Sequence, residues 1–201
     1  MTGHVLGLYA QGTVGLEPGS LVDLYFERAP VNARANLIEM AGIEVTNAEQ
    51  PAPQVLERLQ RLWEWRLGVL QQHADTDLEE LKGFGWWFGS GKFDDDWALA
   101  QLHELLASEG TVDPDHTVAE RLAALRHQRI AQVVACLSLL IDATHRHAAQ
   151  QPWFVTAARD EIRAILEEGI RAADPETGRL ARATVSRLIA RGYTQFGDLL
   201  S

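Results

Sequence analysis

Five short stretches of this 201-residue chain hold residue types that could do chemistry. Gly89-Ser90-Gly91-Lys92 invites a phosphate-binding loop. That loop needs two glycines separated by four residues, then Lys, then a Ser or Thr for Mg²⁺, all following a strand. Here Gly85 and Gly91 leave five residues between them, Phe93 stands in the hydroxyl position, and a helix precedes. Asp94-Asp95-Asp96 offers carboxylates to Mg²⁺ or Ca²⁺. Successive helical residues point about 100° apart, so three in a row do not converge on one ion. Asp is favoured where a helix starts, and capping is the stronger reading. His103-Glu104 begins like the zinc motif HExxH, but Ala107 occupies the place of the second histidine. Asp142, His145 and His147 form the next cluster. The first two share a helix face and the third does not, whereas a metal needs three or four convergent ligands. Cys136, the single cysteine, lies in VVACLSLLI. Apolar flanks raise a thiol's pKa and make it inert, so slow native-state labelling is expected. No nucleophile, base and orienting group come together. The chain therefore reads as non-catalytic, with no cofactor, metal or catalytic residue assigned. The alternative is a small metal-dependent or hydrolytic enzyme whose site is assembled from His and Asp residues across helices.

Six tryptophans are more than one helix face can bury. Trp63 and Trp65 are two residues apart and point to different sides, and so do the adjacent Trp86 and Trp87. Core packing accounts for most of them. Trp65, Trp86 and Trp153 are the candidates for contact with a partner, because Trp is enriched at binding hot spots. Phe88, Phe93 and Trp97 are expected to pin a turn between two helices instead.

A formal net charge of −10 argues against general binding to nucleic-acid backbones, which relies on Lys and Arg. Hydrophobic residues make up 46% and charged residues 23%, ordinary values for a globular protein. One cysteine allows no intrachain disulfide, which fits a reducing compartment. The N-terminus lacks a basic region followed by an apolar one, so no signal peptide is expected. The apolar run near residues 130–141 is too short to span a bilayer. Together these point to an acidic, cytoplasmic protein with a protein partner and no membrane contact.

The elements that must position these residues are all helices. No segment alternates apolar and polar residues with β-branched enrichment. Ser20 or Gly19 starts a helix over 21–28, and Pro30 precedes one over 30–42. Gly42 and VTNAEQPAP form a loop, followed by a helix over 53–73 with Leu59, Leu62, Trp63, Leu67 and Leu70 at helical spacing. Thr76 and Glu79 resemble a capping box opening a helix over 76–89. Gly89 and Gly91 end it, Asp94 opens the next, and Gly110 stops that one. Helices over 117–127, 129–143 and 155–172 follow, with a connection at 142–152, and Asp174-Pro175 starts the last. Paired in order, the helices recur about every 40 residues, the range of two-helix HEAT-like repeats. The expected fold is all-α, an antiparallel array of HEAT-like pairs in a single domain over 1–201, with an irregular helical bundle as the alternative.

The run Gly85-Trp86-Trp87-Phe88, with Ser90 to Asp95 and Trp97-Ala98-Leu99, resembles helical C-terminal regions of large bacterial multidomain proteins of defence-type systems. Residues 20–30, 55–66 and 190–199 share the likeness. The resemblance implies a HEAT-like region serving as scaffold or sensor for an effector elsewhere, and it transfers no catalytic role to any residue. The helix close behind Met1 suits a piece of a longer array.

Overall fold

A computed structural model describes residues 7–72, 78–147 and 153–201. Among these residues the fold is all-α, with no strand. A short helical segment at 7–10 leads to α1 (Leu21–Arg28), α2 (Val31–Asn47) and α3 (Pro53–Gln71). A 3₁₀ turn (Leu78–Leu81) and the short α4 (Phe84–Gly89) come next. Then follow α5 (Asp95–Ala107), the long α6 (Asp115–His147), the one-turn α7 (Trp153–Ala157), α8 (Arg159–Ile170) and α9 (Pro175–Ala190). A 3₁₀ segment, Thr194–Leu200, closes the chain.

Local chemistry sets most of the starts. The Ser20 hydroxyl accepts from Asp23 N at 3.2 Å, Asp94 Oδ1 from Trp97 N at 2.9 Å, and Asp174 Oδ2 from Thr177 N at 3.0 Å. Each satisfies an orphan donor of a first turn. The expected cap at Thr76 lies outside the described residues.

Four expectations are corrected. Gly42 does not end α2, which runs on to Asn47. A Cβ at Gly42 would lie 2.5 Å from Trp87 Cδ1 and 2.7 Å from Trp86 Cβ, so this glycine lets α4 cross α2 closely. Of the helix expected over 76–89, the described residues form a 3₁₀ turn followed by α4. The chain must bend there to bring Gly85 against the Asp113 carbonyl, where a Cβ would sit 2.5 Å from the oxygen. The left-handed residue closing α5 is Glu109, φ 67°, rather than Gly110. Finally, the two helices expected at 117–127 and 129–143 are halves of α6, broken at Arg129 (φ −136°, ψ 34°) and continuing to His147. Neither Pro nor Gly stands at the break. Arg129 instead reaches Asp96 of α5 with two bonds, Nε–Oδ1 2.6 Å and Nη2–Oδ2 3.1 Å.

α6 is the axis of the molecule. It touches α4, α5, α7, α8 and α9. A solenoid restricts each repeat to its neighbours in sequence, so one helix shared by five others suits the bundle alternative better. One continuous core runs through the fold, from Phe26, Ile38 and Trp63 through Leu102 and Leu137 to Ile165 and Leu188. No described helix is long and apolar enough to cross a membrane.

Candidate functional site

The groups singled out in the sequence are mostly committed to structure. Asp94 caps α5, Asp95 pairs with Arg121, and Asp96 pairs with Arg129. The three carboxylates therefore diverge onto a backbone and two arginines. The Arg129 hydrogen bond holds the Asp96 carboxyl below the ordinary carboxylate range. Asp142 sits on α6 facing α9, with Arg191 Nη2 at 2.9 Å and Arg187 Nε at 3.6 Å from Oδ1. His145 donates from Nδ1 to the Ile141 carbonyl at 2.6 Å and meets Tyr193 edge-on. The side chain of His147 lies outside the described residues. Among the described residues no three His, Cys, Asp or Glu side chains are grouped to hold a metal ion.

Cys136 is fully buried, and its Sγ faces the Leu99 carbonyl at 3.6 Å. Burial pushes the thiol up to about 12. The thiolate is the reactive form, so native labelling at pH 8 should run at least about tenfold slower than labelling of the urea-unfolded chain. Equal rates would place this helix at the surface.

The signature aromatics form a ring cluster. Trp63 stacks on Phe84 at 4.0 Å, and Trp87 stacks on Phe93 at 5.6 Å and 7°. Trp97 lies 5.4 Å from Phe93 and 6.2 Å from Phe84, and its Nε1 donates to Glu64 at 2.7 Å. Phe88 and Phe93 are buried, while Trp97 is half-buried. Of the three candidate contact tryptophans, Trp86 is half-buried against the core. Trp65 is half-buried in a cleft, and Trp153, the first residue of α7, is 74% exposed.

The cleft at Trp65 brings charged and aromatic side chains together. It encloses about 320 Å³ between α1 and α3. Asp23 and Glu27, one helical turn apart, project from α1; Trp65 and Val69 do the same from α3. Arg34 of α2 and Arg66 of α3 complete the lining. Behind them lies Glu80 of the 3₁₀ turn, with no exposed surface. Its Oε1 accepts from Arg66 Nε at 2.7 Å, and its Oε2 from Arg66 Nη2 at 3.2 Å. Arg34 Nε is 2.8 Å from Oε2 as an ion pair. Arg34 Nη1 also donates to the Phe26 carbonyl at 2.6 Å, close to the negative end of α1. The Arg66 guanidinium lies 4.7 Å over the Phe26 ring and 4.9 Å over Trp65. Two arginines thus share one buried carboxylate, leaving one positive charge beside an aromatic wall and under an acidic rim.

Sequence reasoning passed over Arg34, Arg66 and Glu80. One signal was present: Arg66 falls on the apolar stripe of α3, seven residues after Leu59 and four before Leu70. A charge on a buried stripe demands a partner. Its partner stands fourteen residues on, beyond the end of the helix, and spacing alone does not reveal it.

Compared with family models, curated proteins and solved structures, the chain matches none.

Proposed function

We propose that this chain is a non-catalytic protein-binding module, a scaffold or sensor within a larger bacterial, cytoplasmic assembly. The observation that carries the reading is Trp153, 74% exposed where the other five tryptophans are buried or half-buried. A solvent-facing indole is costly in water, and Trp is the residue most enriched at the centres of protein interfaces. The partner class that suits it is a protein offering an apolar pocket with basic residues at its rim. The net charge of −10 favours encounter with such a surface. The likeness of the GWWFGSGKFDDDWAL stretch to helical regions of multidomain defence-type proteins supports the same reading.

The test is affinity purification of the tagged chain from its native cells, then titration of the recovered partner in purified form. Trp153→Ala should weaken that complex at least about tenfold while leaving the thermal midpoint within about 1 °C of wild type. Equal affinity of the variant and wild type would remove Trp153 as the anchor. A catalytic turnover detected in the purified chain alone would overturn the reading altogether.

A further inference from the structure

The cleft between α1 and α3 carries both signs of charge in its lining. Arg34 and Arg66 line it, with Glu80 neutralising only one of them. Asp23 and Glu27 stand on the α1 side. Asp23 Oδ2 is engaged by the Gly19 amide at 2.7 Å, while Glu27 is exposed. Trp65 and Val69 form an apolar wall. A phosphate-rich ligand would find one net negative charge here, counting three carboxylates against two guanidiniums. A simple cation would satisfy the rim and confront the arginines. A ligand with a carboxylate and an ammonium on one small frame meets both. The volume of about 320 Å³ lies at the bottom of the range for ligand sites, which suits an amino acid.

We infer that this cleft binds a free α-amino acid with an apolar side chain. The carboxylate lies against Arg34 and Arg66, the ammonium against Glu27 and Asp23, and the side chain on Trp65 and Val69. Arg66 is preorganised for this by Glu80 and by the two rings it stacks on, so little ordering remains to be done on binding. The inference stands apart from the protein-binding role of Trp153.

Calorimetric titration of the full chain with L-leucine, L-methionine and L-phenylalanine tests it, alongside N-acetyl-leucine and leucinamide. At least one free amino acid should bind with a dissociation constant on the order of 1 mM or tighter. The acetylated form lacks the ammonium, the amide lacks the carboxylate, and each should bind at least about tenfold more weakly. Glu27→Gln should weaken binding severalfold at an unchanged thermal midpoint, and Trp153→Ala should leave it untouched. The inference fails if no free amino acid binds at about 10 mM, if either blocked form binds as well as its parent, or if Glu27→Gln has no effect on affinity.

Discussion

Glu80→Ala should destabilise the fold by about 3–5 kcal/mol, the cost of breaking a buried charge network from one side. Glu80 has no exposed surface and Arg66 only 5%, so neither is rescued by water when the carboxylate goes. Removing it leaves two guanidiniums facing each other across the space it filled. It also unties the 3₁₀ turn from α2 and α3, which Glu80 joins through Arg34 and Arg66. The triple replacement Arg34→Met, Arg66→Met and Glu80→Leu should recover most of the loss, because the desolvation cost of all three charges disappears together. Urea denaturation of the three proteins measures this through the midpoint at constant slope. A single-variant loss below about 1 kcal/mol would show that water reaches the carboxylate. A triple variant no better than Glu80→Ala would show that hydrogen-bond geometry, rather than unpaired charge, sets the cost.

How much of this was legible in the sequence follows from the range of each interaction. Caps at Ser20, Asp94 and Asp174 were legible because the oxygen and the N–H it binds are three residues apart. The helices themselves follow from apolar stripes, a property of one segment at a time. Gly42 was misread as a stop because its reason lies in Trp86 and Trp87, far along the chain. The same holds for the break at Arg129, where an arginine in a helical pattern carries no local signal and the partner is Asp96. Asp142 and His145 looked like ligands in isolation, and Arg187 of α9 and Arg191 just after it, which occupy Asp142, are likewise remote. The cleft joins three helices and a turn, so its composition exists only once α1, α2 and α3 have docked. Pairing of helices in sequence order missed the central place of α6 for that reason: the order of elements sets neighbours, and the depth of a helix's apolar surface sets how many it can have.

Trp87→Ala should cost about 3–5 kcal/mol, and its coupling to Gly42 should reveal how α4 is seated on α2. Trp87 is fully buried, stacks on Phe93 and lies 5.9 Å from Trp63. Its Nε1 donates to the Ile38 carbonyl at 2.8 Å, one turn before Gly42. Truncation therefore removes a ring, opens a cavity in the aromatic cluster and deletes a bond between the two helices. Gly42→Ala acts on the same contact from the other side. The alanine gains about 1 kcal/mol of helix propensity but places a methyl 2.5 Å from Trp87 Cδ1, and overpacking of that kind costs about 1–3 kcal/mol. The net expectation is a loss. In the Trp87→Ala background the ring is gone, and although Trp86 Cβ remains 2.7 Å away, the methyl finds room toward the cavity. Gly42→Ala should then be less harmful by about 1 kcal/mol or more, a coupling within the range for residues in contact. Thermal or urea melts of the two single variants and the double variant close the cycle. Strict additivity would mean that the helices separate to accept the methyl, and that the crossing at Gly42 is looser than a backbone-to-ring contact.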